Sequence, residues 1–210
     1  PRPACHADAL SAHHITSIVN RQNLPQNMIP EQKSYFQERM ELLGITPNLN
    51  RIEIFDPEAE FPQRDRSIWP VFEEEKATGD IMISYYTIDG EAIRYLKMGD
   101  GKTASINAKN PYYFTKRLKE PKGDMKYQLP AGQPTLPWFP PALVEKFRKK
   151  ERITHLVLTE GVFKAMCGSM AGLDVVGLPS ITCYKERDGK LYRDVARLIE
   201  ECQVENVIIL

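Results

Sequence analysis

The chain has 210 residues, of which 42% are hydrophobic and 27% charged, and its formal net charge is zero at pH 7. That balance is ordinary for a globular protein and excludes a disordered tail, a collagen-like rod and a small disulfide scaffold. No apolar run approaches the roughly 20 residues that cross a bilayer, and the first residues, PRPACHADALSAHH, lack the apolar core of a signal peptide. The cytoplasm is the expected compartment. Cys5, Cys167, Cys183 and Cys202 form no C-x-x-C pair and are expected as reduced thiols.

In chain order, residues 1–28 read as a flexible lead-in. Pro30 is expected to open a helix over residues 31–43 that Gly44 closes, with Phe36, Met40 and Leu43 on its buried stripe. Strands are expected at Arg51–Phe55, at Ser67–Phe72 with an interruption at Pro70, and at Asp80–Ile88. Asp89-Gly90 then predicts a hairpin into Glu91–Met98. Residues 102–141 read as loop, rich in cations and aromatic rings. Beyond Pro141 the pattern changes to a helix at Ala142–Lys150, a strand at His155–Thr159 and a helix at Gly161–Ala171. A second apolar strand (Asp174–Leu178), a helix (Tyr192–Cys202) and a third strand (Asn206–Leu210) follow. Short apolar strands alternating with helices imply βαβ units and a parallel sheet. The expected fold class is α/β: an α+β portion with antiparallel strands at 29–140, then a parallel-sheet portion at 141–210.

The neutral total hides an uneven distribution. Residues 31–91 hold 14 acidic and 6 basic side chains, whereas residues 92–127 hold 9 basic and 3 acidic ones. Arg94, Lys97, Lys102, Lys109, Lys116, Arg117, Lys119, Lys122 and Lys126 form that basic band, which fits either a polyanion-facing surface or a solvated lysine-rich one. Tyr112-Tyr113-Phe114 among the lysines fits base stacking or ordinary packing. Trp138-Phe139, between prolines, reads as a hydrophobic plug joining the two portions. Cys5, His6, His13 and His14 match no zinc-finger spacing, and His155 reads as a packed core or strand-start histidine rather than a catalyst.

In open parallel sheets, ligands gather at the carboxyl ends of the strands. Glu160 stands there, and Gly161 frees the backbone to turn at once into a helix. A carboxylate so placed can bind magnesium or move a proton; it can also simply favour a helix N-terminus. Lys164 falls one turn later, on the same face, where it could meet a phosphate.

Leu156–Ile181 (LVLTEGVFKAMCGSMAGLDVVGLPSI) resembles the Toprim domain of topoisomerases and bacterial-type primases. Glu160-Gly161, Gly172 and Val176-Gly177-Leu178 match its apolar strand ending in Glu-Gly and its two glycine-marked turns. The EG-x-x-KA form (Glu160, Gly161, Lys164, Ala165) looks most like the variant in phage and mobile-element primases; cellular primases usually carry Asp at the position of Lys164. Tyr35–Ile45, Trp69–Phe72 with Arg94-Tyr95-Leu96, and Met125–Pro130 are similar to primase-core segments, in the same order.

The resemblance implies a DNA primase-like protein that binds DNA and supports metal-dependent primer synthesis, with Glu160 as catalytic residue and metal ligand. It implies Mg²⁺ or Mn²⁺ in the full-length protein. The family's Asp-x-Asp follows the third strand, which here ends at Leu210, so the sequence reads as a fragment that binds no metal tightly by itself. Lys164, Arg94, Lys97, Lys116, Arg117, Lys119, Lys126 and Tyr127 are the expected contacts to phosphate and nucleic acid, and Gly161, Gly172 and Gly177 the expected structural turns. Single-stranded DNA, nucleotides and a replicative helicase are the implied partners, with no membrane. Two other readings are a non-catalytic Toprim-like DNA-binding module attached to a helicase or mobilisation protein, and a Toprim nuclease.

Overall fold

A computed structural model describes residues 32–59, 66–95, 111–180, 182–186 and 188–210, and residues 33–210 form one compact unit. The expectations for residues 1–28, for Lys97, Lys102 and Lys109, and for the end of the strand expected at Glu91–Met98 lie outside the described residues.

The fold is mixed α/β. Helix α1 (Tyr35–Leu42) starts four residues later than Pro30 predicts, because Ser34 caps it. The Ser34 hydroxyl accepts the Gln37 N–H and the Gln37 side chain accepts the Ser34 N–H, which satisfies two orphan donors of the first turn. Strand β1 (Arg51–Ile54) pairs antiparallel with β2 (Ser67–Pro70). The run expected at Ser67–Phe72 divides at Val71, and β3 (Phe72–Glu74) leaves for a second sheet. There β3 pairs with β4 (Ile81–Ser84), β4 with β5 (Phe114–Lys122), and β5 with β6 (Met125–Gln128), all antiparallel.

The β5–β6 hairpin overturns the loop reading of residues 102–141. Its sequence, FTKRLKEPK, exposes so many cations that alternation of apolar residues is invisible, yet Phe114, Thr115, Lys116 and Leu118 are buried. The hairpin at Asp89-Gly90 exists in a reduced form. Gly90 N–H donates to Thr87 O and Tyr86 bridges Ala92, without a regular returning strand among the described residues.

The second half follows the predicted alternation closely. Helix α2 (Pro141–Arg148) precedes β7 (His155–Glu160), α3 (Val162–Met170), β8 (Asp174–Leu178), α4 (Arg193–Glu201) and β9 (Asn206–Ile209). Strand β7 lies between β8 and β9 and pairs parallel with both. Gly177 is not a turn residue: it sits inside β8, opposite Thr159. A Cβ there would lie 3.2 Å from the Ala165 Cβ and 3.3 Å from the Gly161 carbonyl oxygen, so glycine lets α3 pack closely on the sheet.

One core joins both halves. Phe72 of β3 stacks on Phe163 of α3 with centroids 5.0 Å apart, and Trp138 lies 5.9 Å from Phe72. Trp138 and Phe139 are fully buried. The Trp138 N–H and C=O bond reciprocally with Gly177 in an isolated antiparallel bridge to β8, while its indole N–H donates to Ser84 O at the end of β4. Burying such aromatic side chains stabilises by about 2–3 kcal/mol each. No helix among the described residues is long and apolar enough to cross a membrane.

Candidate phosphate-binding cleft

The carboxyl ends of β7 and β8 lie side by side, with Glu160 paired to Leu178. The chain then turns sharply at Gly161, whose φ of +91° is a backbone state that side chains with a Cβ adopt only under strain. Helix α3 starts there without a side-chain cap, so its first-turn N–H groups are not capped by a side chain. Gly172, with φ of +86°, lies just past the other end of that helix.

A cleft of about 410 Å³ opens at this edge. Glu160, Gly161, Phe163 and Lys164 form one wall. Arg117 of β5 and Lys126 and Tyr127 of β6 line it from the antiparallel sheet, and Arg39 of α1 also lines it. Glu160, Lys164 and Lys126 are exposed.

The two arginines are held by rings rather than by carboxylates. Arg117 lies over Tyr127 at 5.1 Å and over Phe163 at 5.8 Å, and its Nε donates to the Tyr35 hydroxyl at 3.1 Å. Arg39 lies over Phe163 at 5.5 Å, and its Nε is buried without a hydrogen-bond partner. None of Arg39, Arg117, Lys126 or Lys164 has an ion-pair partner among the described residues. Sequence reasoning missed Arg39. Its signal was available in the spacing of α1, where it lies four residues after Tyr35 on the same face.

Other expected contacts lie elsewhere. The Lys116 ammonium is buried and bonds both carboxylate oxygens of Glu75 at 2.6 Å. Arg94 donates to buried Asp56, at 2.6 Å from Nη2. Burial pushes the Asp56 carboxyl up, and Arg94, Tyr112 and the Glu58 N–H more than offset this, holding it below the ordinary range. Lys119 is exposed but lies over Gly79, outside the cleft. Tyr113 and Phe114 are buried in the core, which removes them as stacking platforms. His155 is exposed at the start of β7. Lys97 is outside the described residues.

Magnesium, which the Toprim resemblance implies, takes oxygen donors in a near-octahedral set. Among the described lining residues Glu160 is the one carboxylate, beside four cations. No group of three or more His, Cys, Asp or Glu among the described residues could hold a metal. This donor set suits an anion and does not fit a divalent cation.

No protein-family model, curated protein or solved structure matches the chain.

Proposed function

We propose that the chain is part of a DNA primase-like protein of a phage or mobile element, that its cleft binds single-stranded DNA, and that Glu160 serves primer synthesis in the whole protein. The observation that supports this best is the meeting, in one cleft, of Glu160 from the parallel sheet with Arg117 and Lys126 from the antiparallel one. Fixed cations neutralise charge on a phosphate, and a carboxylate in the same cleft can move a proton to or from a reacting hydroxyl. The reading implies the cytoplasm as compartment, nucleotides as substrates and a replicative helicase as partner.

A second reading, a non-catalytic Toprim-like DNA-binding module, draws support from the donor set of the cleft. Four cations and one carboxylate suit phosphate binding without further chemistry.

Anisotropy of a fluorescein-labelled oligothymidylate tests the shared DNA-binding step. Affinity is expected to fall steeply with salt, with a log–log slope of roughly −0.7 per phosphate neutralised on a single strand. Replacing both Arg117 and Lys126 with Glu should remove most of the binding. Salt-insensitive binding, or unchanged affinity in that variant, would overturn the DNA-binding assignment. Glu160→Gln separates the two readings: it abolishes templated primer synthesis by the whole protein in the first and changes nothing measurable in the second.

A further inference from the structure

We infer that the cleft neutralises the phosphate of its ligand with side-chain cations alone, so that a phosphate-bearing ligand binds there without a divalent metal ion. The inference rests on the reading of this cleft as the ligand site, and departs from the metal dependence that the Toprim resemblance implies.

The charge balance carries it. Most buried or half-buried cations elsewhere in the described chain are already matched: Lys116 by Glu75, Arg94 by Asp56, Arg148 by Glu145 and Arg197 by Asp89. Around the cleft that matching stops. Arg39, Arg117, Lys126 and Lys164 face one carboxylate, Glu160, and none of the four is ion-paired among the described residues. Bringing uncompensated cations together costs Coulomb energy, which an anion between them reverses. A divalent cation in the same space would add to the repulsion.

Geometry adds a second support. The Phe163 and Tyr127 rings and the Tyr35 hydroxyl hold the Arg117 guanidinium before any anion arrives; Nε is taken by Tyr35, and the terminal nitrogens are the ones able to make a bidentate contact to phosphate oxygens. Arg39 shares the Phe163 ring, and its buried Nε is an orphaned donor, a state that costs free energy until an acceptor is supplied. Polar groups of this kind, fixed in advance, lose little freedom on binding. The ligand chemistry is a phosphoryl group, which a single-stranded DNA backbone and the polyphosphate of a free nucleotide both offer.

Binding is measured with the full chain, using a fluorescein-labelled oligothymidylate and inorganic tripolyphosphate as probes, each in EDTA and in Mg²⁺. The expected result is binding in EDTA at least as tight as in Mg²⁺. Arg39→Gln should weaken it roughly tenfold, the size of one charge-assisted hydrogen bond. Lys164→Gln, at an exposed position that the fold does not need, should weaken it in the same direction and keeps the test valid if Arg39→Gln unfolds. Tripolyphosphate that displaces the oligonucleotide assigns the cleft to a free polyphosphate; binding of the oligonucleotide that tripolyphosphate does not displace, yet that both variants weaken, assigns it to the DNA backbone. Binding that appears only with Mg²⁺ overturns the inference and leaves the DNA-binding reading intact. Failure of both probes to bind in either buffer overturns that reading as well. Unchanged affinity in folded Arg39→Gln and Lys164→Gln also overturns the inference.

Discussion

Lys116 and Arg117 are neighbours on β5 whose side chains leave opposite faces of the strand. Lys116 turns into the protein to bind Glu75 at 2.6 Å, whereas Arg117 turns toward the cleft and lies over Tyr127, its direct partner across the hairpin. The two-residue period of a strand thus gives adjacent cations different work. Lys116→Met should lower stability by about 2 kcal/mol, less than the 3–5 of a fully buried broken pair, because the Glu75 side chain keeps 26% of its exposure. It should leave oligonucleotide affinity unchanged, while Arg117→Met does the reverse. Denaturant titration and anisotropy on the same two proteins check this, and the idea fails if the effects are exchanged.

The Tyr127 ring holds Arg117 in place. Tyr127→Phe keeps the ring under the guanidinium and should retain most of the affinity for DNA. Tyr127→Leu removes an interaction worth about 0.5–1 kcal/mol at exposed sites, so affinity should fall by a few-fold. Equal affinities for the Leu and Phe variants would show that the ring does not position Arg117.

The parallel sheet was legible because its signal is local. Leu156–Thr159 and Val175–Leu178 are apolar runs of strand length, buried almost throughout, and each is followed by a residue pattern that turns the chain. Glu160 was legible for the same reason, since the carboxyl end of such a strand is a fixed place in the fold. The basic band was legible only as composition. Whether Arg94 or Lys116 meets solvent or a buried carboxylate depends on Asp56 and Glu75, which lie 38 and 41 residues earlier, and no local pattern announces such pairs. Arg39 was missed because it stands 124 residues before the cleft residue it touches, Phe163, and reaches it only through tertiary packing. Strand β5 was missed because its cations obscure the alternation that marks a strand.

Gly90 is where a short-range turn signal meets a long-range contact. Its φ is +83°, and a Cβ built on it would overlap the Arg148 guanidinium, which donates to Asp89 O at 2.9 Å and Glu53 O at 2.7 Å. Gly123 has φ of +61° with open space around the same position. Gly123→Ala should therefore report backbone strain alone, about 1 kcal/mol, and Gly90→Ala the strain together with displaced Arg148, about 2–3 kcal/mol. Thermal melts should show the larger fall for Gly90→Ala, at roughly 2–4 °C per kcal/mol for a chain of this size. Equal shifts would remove Arg148 from the explanation.

Asp194 makes stability depend on pH in a direction opposite to that of a salt-bridged acid. It lies in the first turn of α4, where its carboxylate accepts the Ile88 N–H at 3.1 Å and stands 3.8 Å from Arg197. Burial pushes its carboxyl above the ordinary 3.8; the Ile88 N–H, Arg197 and Arg193 pull it down in part, and the nearby Asp89 charge pushes it up again. A group whose proton is held more tightly in the folded state gives its full stabilisation below the ordinary value and loses it as pH rises through the folded-state value. Glu91 moves the same way, through burial and then repulsion from Asp89, Asp56, Glu58 and Asp194, whereas Arg197 holds Asp89 below its ordinary range. Whole-chain stability mixes these opposing trends, so the difference between wild type and Asp194→Asn isolates one group. The Asn amide oxygen can still accept the Ile88 N–H but carries no charge to desolvate. Measured by urea unfolding between about pH 3.5 and 7, the stability of the variant relative to wild type should grow as pH rises from 3.8 and then level off. A flat difference would mean that Asp194 is not desolvated, and a shrinking one that Arg197 outweighs its burial.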